Sequence, residues 1–457
     1  MPLCMTFFER VDEQVLRNHA HYCRLYGYPH QWVESSHVAD ASLRNGVKYS
    51  EILRHLRTLA EGDWLLFLDG DSVVFRPVAV EPLMQGRDLL VVDGPSGLAL
   101  TNMMILRNTQ ANRTLLSQML VAAGAAVARS VSGLSEADRQ RGLTSRLDEA
   151  ALFRPAGMLG FNAFVADRHV NVSWRISEWF NAPVFVVSLA SLPKLEQDGQ
   201  VHDDMLHDLN LQRLLVRQVN AALMEGLPML QQPAYPALSE EAMSSVNGHA
   251  QIAFVTLYTH HISTYARVSE HNVRRYCERH GYGYHVYRGI PGELDPEING
   301  AWVKAWLLAR HLAQHQWVVW VDADILFVNQ AKRFEPLLEG RDLLFAKDVG
   351  GWLFNSGVMG FRNTARNAEL LARIWARITG VEDKSSVYSS QGDQFHTNEV
   401  IGEEGLASEN NILDCLSLNT PPSLATSDSL LVHFMSLGEP YRSVYMADMD
   451  AMSQRIR

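Results

Sequence analysis

In the stretch WVVWVDADILFVN, residues 317–329, an unbroken apolar run is followed by two carboxylates, Asp322 and Asp324. Because residues 317–321 are apolar at every position, they predict a strand of a parallel sheet that is covered on both faces. In open α/β sheets, ligands bind beyond the carboxyl ends of the strands, where these aspartates lie. Side chains at i and i+2 of an extended segment point the same way, so both carboxylates can face one ligand.

Two neighbouring carboxylates repel each other, and a divalent cation between them removes the conflict. Oxygen ligands suit Mg²⁺ or Mn²⁺, which often share their coordination with the phosphates of a substrate. The pair therefore predicts a metal–diphosphate site at the edge of the sheet. The alternative is a polar turn without function. A second occurrence, WLLFLDGDSVVF at 64–75 with Asp69 and Asp71, favours the site.

The repetition extends over most of the chain. NHAHYCRLYGY, which begins at Asn18, matches NVRRYCERHGY, which begins at Asn272, 254 positions later. A nearly constant offset across separate blocks indicates an internal duplication. Two further blocks repeat in the same way: EPLMQGRDLL (81–90) as EPLLEGRDLL (335–344), and RNTQANRTLL (107–116) as RNTARNAELL (362–371).

Within each copy, apolar strands alternate with amphipathic helices, an order that predicts an α/β domain with right-handed crossovers. We therefore expect two tandem Rossmann-like domains, at 1–200 and 251–457. Each is expected to have a mainly parallel central sheet flanked by helices. Residues 201–250 are expected to join them as a helix followed by a linker rich in Pro, Ser and Ala.

Composition limits the class of protein. The 457 residues are 47% hydrophobic and 20% charged, with a formal net charge of −11, so attraction to nucleic acid through general phosphate contacts is disfavoured. No apolar run approaches the roughly 20 residues that span a bilayer, and no signal peptide is recognisable. The four cysteines fit neither a disulfide framework nor a zinc spacing. These features predict a cytoplasmic protein with reduced thiols, no transmembrane segment and no stable nucleic-acid partner.

Several other residues could complete the site. Lys304 opens the helix before the Asp-x-Asp strand and is either a phosphate contact or a solvated charge. NSGVMGF at 355–361 predicts a small-residue turn that leads into a short strand, and SSQGDQF places Asp393 and Gln394 in a polar loop. His433 lies in an apolar strand, where a histidine is more often a hydrogen-bonded core residue than a ligand.

Taken in order, FVTLYT, NVRRYCERHGY, WVKAWLL, WVDADILFVN, NSGVMGFRN, QGDQ and VHFMSLGEP resemble the GT-A fold nucleotide-sugar glycosyltransferases. The resemblance is to the galactosyl-, xylosyl- and mannosyltransferase family, glycosyltransferase family 34, and covers nearly all of the second copy. It implies two tandem GT-A domains. It also implies transfer of a sugar from a UDP-sugar to a hydroxyl of a glycan or other acceptor, with retention. A bound Mn²⁺ or Mg²⁺ would assist departure of the diphosphate.

The resemblance also implies roles for individual residues of the second copy. The metal ligands would be Asp322, Asp324 and His433. The residues around the nucleotide, donor sugar and acceptor would be Thr256, Tyr258, Lys304, Asn355, Ser356 and Gly357. The residues beside the anomeric carbon would be Asp393 and Gln394.

The first copy keeps only part of this set. Asp69 and Asp71 correspond to the metal pair, whereas LTN at 100–102 replaces NSG and Ser188 falls at the place of His433. The remaining counterparts are Thr6 and Lys48 for the pocket, and Asp148 and Glu149 for the residues beside the anomeric carbon.

The function of the first copy therefore has two interpretations. It is either a second active site, which would make the chain a bifunctional transferase, or a domain that has lost its metal site and binds acceptor or a partner. A further alternative for the whole chain is a nucleotide- or glycan-binding scaffold that does not catalyse transfer.

Overall fold

The computed structural model describes residues 1–38, 41–84, 86–93, 99–130, 160–162, 185–188, 196–197, 200–201, 206–231, 234–295, 297–349, 351–426, 428–435 and 437–455. The chain divides into two compact units. The first comprises Met1–Lys194 and Leu211–Met229, and the second comprises Leu195–Asn210 and Leu230–Arg457. The helix expected in the joining segment thus contributes most of its length to the first unit.

The first unit is built on a mixed five-stranded sheet of order β2-β1-β3-β6-β5, in which only β6 runs antiparallel to its neighbours. A smaller sheet of order β4-β8-β7 accompanies it. The strands are β1 (Leu3–Phe8), β2 (His30–Glu34), β3 (Trp64–Asp69), β4 (Ser72–Val74), β5 (Leu89–Asp93), β6 (Ala99–Arg107), β7 (Gly160–Asn162) and β8 (Val186–Ser188). The helices up to the junction are α1 (Glu13–Tyr26), α2 (Ala41–Thr58), α3 (Val80–Leu83), α4 (Gln110–Ser130) and α5 (Leu206–Glu225).

Two short strands, β9 (Glu196–Gln197) and β10 (Gln200–Val201), pair with each other, and the second unit follows. Its remaining strands are β11 (Met243–Val246), β12 (Ile252–Leu257), β13 (Gly283–Tyr287), β14 (Trp317–Val321), β15 (Ile325–Phe327), β16 (Leu343–Ala346), β17 (Asn355–Arg362), β18 (Ile412–Leu413) and β19 (Leu431–His433). Its helices are α6 (Ser263–His280), α7 (Lys304–Leu312), α8 (Ala365–Thr379), α9 (Asp393–Glu403), α10 (Cys415–Leu418) and α11 (Tyr441–Ser453).

The second unit has a mixed seven-stranded sheet of order β11-β13-β12-β14-β17-β16-β18, with β11 and β17 antiparallel to their neighbours. The expected α/β class is therefore confirmed. The central strands of the two units also follow one order with the same directions: β2-β1-β3-β6-β5 in the first and β13-β12-β14-β17-β16 in the second.

The apolar run before Asp322 is buried on both faces of the sheet. Val318 and Trp320 pack in a core with residues of α7 and α8. Val319 and Val321 pack in a second core with residues of α6. A strand with a helical layer on each face has no solvent-facing positions, so the run is apolar without alternation.

A buried asparagine in the middle of α1 and of α6 ties each helix to the strand after the Asp-x-Asp turn. Asn272 on α6 accepts from the Phe327 amide (2.7 Å) and donates to Asp450 of α11 (2.7 Å). Asn18 on α1 likewise accepts from the Val74 amide (2.7 Å) and donates to Asn220 of α5 (3.0 Å). Helix α5 therefore stands in the first unit where α11 stands in the second.

Two local predictions were wrong. NSG at 355–357 does not form a turn but begins β17, because its backbone pairs with β16 and continues into the ladder with β14. Asp393 and Gln394 are not in a loop but in the first turn of α9. The four cysteines are free, as expected. Among the described residues, no helix is long and apolar enough to cross a membrane.

Candidate functional site in the second unit

Asp322 and Asp324 lie in the tight turn between β14 and β15, not in an extended segment as the sequence suggested. The amide of Ile325 donates to the carbonyl of Asp322 (3.2 Å), and the amide of Asp322 donates to the carbonyl of Gly357 on β17 (2.9 Å). This turn brings the two carboxylates together with His433. One ligand atom from each of the three residues lies within 4.8 Å of the others.

His433 reaches the turn because β19 pairs antiparallel with β15, which sets His433 opposite Ile325. Its Nε2 lies 3.2 Å from Asp324 Oδ1, and its Nδ1 lies 2.9 Å from Asn419 Oδ1. The Asn419 amide nitrogen donates to the carbonyl of Lys347 (3.1 Å), which turns its oxygen toward the imidazole. Nδ1 therefore carries the hydrogen donated to Asn419, and Nε2 is the nitrogen that faces Asp324.

This geometry fits a divalent cation. Nε2 of His433 and Oδ1 of Asp324 lie 3.2 Å apart: they form an ion pair when the imidazole is protonated, and they offer two acceptor atoms to a cation when it is neutral. Carboxylates and imidazole form a donor set that suits Mn²⁺, and the Asn419 contact is the kind of outer hydrogen bond that orients metal-bound histidines. A functional role for His433 is thereby favoured over that of an ordinary core residue.

Gly357 makes room for His433. A Cβ atom at position 357 would lie 2.3 Å from His433 Cε1. The family resemblance implies that Gly357 lies near the donor sugar and acceptor, and the structure adds a second reason for a glycine here. It leaves the space that the imidazole occupies.

Lys304 is buried and paired, which excludes the solvated alternative. Its Nζ lies 2.7 Å from Asp322 Oδ1 and 2.8 Å from Asp393 Oδ2, and it donates to the carbonyl of Ser356 (3.3 Å). Burial opposes the ammonium form, but Asp322 and Asp393 outweigh it and raise the pKa of Lys304. Lys304 thus links the Asp-x-Asp turn to the start of α9.

The two aspartates are held in different electrostatic environments. Burial raises the pKa of Asp322, although Lys304 opposes the change. Burial would also raise the pKa of Asp324, but His433 and then Arg442 outweigh it and bring that pKa to about 2. Asp324 is therefore the stronger anion of the pair.

Arg442 and Asn419 were missed by the sequence analysis. Arg442 Nη1 lies 3.4 Å from Asp324 Oδ2, and its guanidinium stacks 4.5 Å from the centroid of the Tyr265 ring. The only signal for Arg442 was its position two residues beyond the VHFMSLGEP motif that contains His433. Nothing in the sequence indicated that Asn419 contacts His433.

The start of α9 is tied to β17. The side-chain oxygen of Gln394 accepts from the Ser356 amide (3.1 Å). Asn355 accepts from the Gly357 amide (2.8 Å) and donates to Asp348 (2.9 Å). These bonds fix Asn355, Ser356 and Gln394 beside the cluster of Asp322, Asp324 and His433.

A cavity of about 880 Å³ opens beside the cluster. Thr256 is buried within β12 and is not among the described residues that line this cavity. Tyr258 does line it, and its hydroxyl donates to Glu270 (2.6 Å), which also pairs with Arg288. The lining residues with polar or aromatic groups include Tyr258, Tyr265, Lys304, Asp322, Asp324 and Asp393.

The first unit arranges its corresponding residues differently. Lys48 pairs with Asp69, as Lys304 pairs with Asp322. However, Asp71 accepts two hydrogen bonds from the side-chain amide of Asn102, at 2.9 and 3.0 Å. Burial, and then Asp69, raise the pKa of Asp71 to about 7.

Thr6, which the resemblance placed in the pocket, does not join this turn. The hydroxyl of Thr6 lies 3.0 Å from His19 Nδ1 and 2.9 Å from His30 Nε2, within a buried polar cluster. Asp148 and Glu149 lie outside the described residues. Among the described residues, no third histidine, cysteine or carboxylate forms a close group with Asp69 and Asp71.

Comparison with known proteins finds a matching family and similar proteins. The sequence model of the galactosyl transferase GMA12/MNN10 family matches residues 252–344. A probable glycosyltransferase 2 of Oryza sativa subsp. indica is 33% identical over 109 residues, covering 21% of this chain and 22% of the relative. A probable xyloglucan 6-xylosyltransferase 3 of Arabidopsis thaliana is 28% identical over 239 residues, covering 47% of this chain and 48% of the relative.

These matches confirm the resemblance to glycosyltransferase family 34, and each spans less than half the length of the curated relative. A solved structure, a glycosyltransferase involved in the glycosylation of the major capsid of PBCV-1, is also similar. It is 18% identical with a TM-score of 0.32, covering 43% of this chain and 98% of that one.

Proposed function

We propose that the second unit is the catalytic GT-A domain of a metal-dependent glycosyltransferase, which moves a sugar from a UDP-sugar to an acceptor hydroxyl. The observation that carries the proposal is the convergence of Asp322, Asp324 and His433 beside a cavity of about 880 Å³. The match to the galactosyl transferase family supports it, because residues 252–344 include both aspartates.

The cofactor would be Mn²⁺ or Mg²⁺, held by Asp322, Asp324 and His433. When bound, the ion supplies positive charge to the leaving diphosphate. Asn419 holds Nε2 of His433 toward the ion, and Arg442 holds Asp324 from its other oxygen. Because these groups are fixed before substrate arrives, little reorganisation is needed during the reaction.

Lys304 and α9 would position the donor sugar. Lys304 bridges Asp322 and Asp393, so the carboxylates at the turn and at the start of α9 keep a fixed separation. Gln394 is held by the Ser356 amide at the same place. We propose that Asp393 and Gln394 face the anomeric carbon and that transfer proceeds with retention, which the family resemblance implies. Positioning of this kind contributes much of the rate enhancement in two-substrate reactions.

We further propose that the two units arose by duplication. The shared strand order, the paired asparagine clamps at Asn18 and Asn272, and the matching lysine pairs support it. Residues 1–200 and 251–457 are then homologous regions, and α5, which follows the first region, is the counterpart of α11.

The test is release of UDP from a panel of UDP-sugars, with Mn²⁺ or with EDTA, by wild type, Asp324→Asn and His433→Ala. We expect turnover of one donor to fall by at least about 100-fold in both variants and in EDTA. Asp342→Asn is the matched control, because Asp342 is exposed and pairs with Arg362. Circular dichroism verifies folding. Full turnover in the folded Asp324→Asn variant would refute the proposal. Proton NMR of the first-formed product reads the anomeric configuration.

A further inference from the structure

We infer that the first unit holds no divalent cation at its Asp-x-Asp turn, because Asn102 takes the place that the His433 imidazole has in the second unit. The inference rests on the proposed function in one respect, namely that the cluster of Asp322, Asp324 and His433 in the second unit binds a metal ion. It bears on which unit takes a nucleotide-sugar donor.

Strand register makes Ser188 the counterpart of His433. In the second unit, β15 and β19 pair with Ile325 opposite His433. In the first, β4 and β8 pair with Ser72 opposite Ser188. Ser72 follows Asp71 directly, as Ile325 follows Asp324. The position that supplies an imidazole in one unit therefore supplies a hydroxymethyl group in the other, and a serine hydroxyl is a weaker Mn²⁺ ligand than imidazole.

Strand register also makes Asn102 the counterpart of Gly357. Leu68 pairs with Met103 in the first unit, and Val321 pairs with Val358 in the second. The residues before these partners are Asn102 and Gly357. A side chain at position 357 would collide with His433, since its Cβ would lie 2.3 Å from Cε1. The two positions have thus changed together: glycine with histidine in one unit, asparagine with serine in the other.

The Asn102 amide satisfies the carboxylate that a cation would need. Its nitrogen donates to both oxygens of Asp71, at 2.9 and 3.0 Å. The amide group takes up one lone pair on each oxygen and fills the side of the carboxylate between them, where a cation would bind both oxygens, and the amide nitrogen is itself no ligand. The other carboxylate, Asp69, is paired with Lys48. Both carboxylates therefore have protein partners without an ion.

The charge balance disfavours a nucleoside diphosphate at this turn. With both carboxylates ionised, Asp69, Asp71 and the Lys48 ammonium carry a net charge of −1. Without a divalent cation, the described residues of the turn offer no net positive charge to the negatively charged diphosphate of a donor. We therefore assign donor binding to the second unit alone.

The inference is tested by the stoichiometry of Mn²⁺ binding to the full chain, read from the electron paramagnetic resonance signal of free Mn²⁺, with and without saturating UDP. We expect one site in wild type, one in Asp71→Asn and none in Asp324→Asn. A site that survives Asp324→Asn and is lost on adding Asp71→Asn would overturn the inference. If wild type binds no Mn²⁺, the proposed metal site of the second unit fails, whereas the assignment for the first unit stands.

A gain of binding provides an independent test. In the Asp324→Asn background, the pair Asn102→Gly and Ser188→His places glycine and histidine as in the second unit. We expect this chain to gain one Mn²⁺ site that Asp71→Asn removes. Ser188→His alone is the matched control and should gain none, because Asn102 still fills the space. If the folded double variant gains no Mn²⁺ site, Asn102 and Ser188 are not what prevents the first unit from binding the ion. If the double variant does not fold, the stoichiometry of the Asp71 and Asp324 variants still decides the inference.

Discussion

At the residue scale, Asn419 decides which nitrogen of His433 faces Asp324. Its contact with Nδ1 (2.9 Å) is the kind of outer hydrogen bond whose loss weakens metal binding about 10–100-fold. We expect Asn419→Ala to lower Mn²⁺ affinity by that factor with little change in fold, as measured by calorimetric titration. Asn410→Ala is the control, because Asn410 is exposed. An unchanged affinity in Asn419→Ala would show that the imidazole is oriented without this contact.

Gly357 gives a second prediction at this scale. Alanine at 357 forces His433 to move, because the new Cβ would lie 2.3 Å from Cε1. We expect Gly357→Ala to abolish measurable Mn²⁺ binding. Gly402→Ala is the matched control. Its Cβ would meet only ordinary contacts, at 3.7 Å, and alanine in a helix is more favourable than glycine by about 1 kcal/mol. Wild-type Mn²⁺ affinity in Gly357→Ala would place the metal away from His433.

At the scale of elements, the asparagine clamps join the first helix of each unit to the strand after the turn. Asn272→Ala leaves the Phe327 amide and the fully buried Asp450 without this partner. A buried group left unsatisfied costs about 1–3 kcal/mol, so we expect each of Asn272→Ala and Asn18→Ala to lower the free energy of unfolding by about 2–4 kcal/mol. Urea titrations of both variants measure it. A loss below about 0.5 kcal/mol in either would show that the clamp is dispensable in that unit.

Buried histidines make the second unit sensitive to acid. Burial, and then His311 and His315, lower the pKa of His285 to about 3, whereas the unfolded value is about 6.5. The unfolded state therefore binds more protons below pH 6.5, and the stability present above that pH is lost progressively as the pH falls. One such histidine contributes a slope of up to about 1.4 kcal/mol per pH unit.

We expect His285→Gln to flatten the dependence of unfolding free energy on pH between 4 and 6.5. His249→Gln is the control, because His249 is exposed. Urea midpoints across this range measure the slopes. Equal slopes in wild type and His285→Gln would show that His285 is not kept neutral by its surroundings.

At the scale of the whole molecule, each unit has its own hydrophobic cores, so ligand binding is expected to stabilise them separately. A ligand at 100 times its Kd stabilises the state that binds it by about 2.7 kcal/mol. We expect Mn²⁺ with UDP to slow hydrogen exchange in peptides containing β14, β15 and β19 but not in peptides containing β3 and β4. The Asp324→Asn variant should show no slowing. Equal slowing in β3 and β4 would indicate that the first unit binds the nucleotide as well.

The amino-acid sequence by itself determined the α/β class, the place of the two Asp-x-Asp turns and the family resemblance. Each depends on local pattern. An apolar strand with no alternation must be covered on both faces. A pair of carboxylates directly after such a strand lies at the edge of the sheet, whichever strands pair with it.

Only the tertiary structure decided the direction of β17, the role of Gly357 and the contacts of Asn419 and Asn102. These depend on pairing between segments far apart in sequence: β17 with β14, β19 with β15, and β8 with β4. A shift of register by one residue reverses which face a side chain occupies, so no local pattern reveals them. Sequence alignment alone therefore matched Ser188 with His433. The pairing of the strands was needed to show that the Asn102 amide replaces an imidazole.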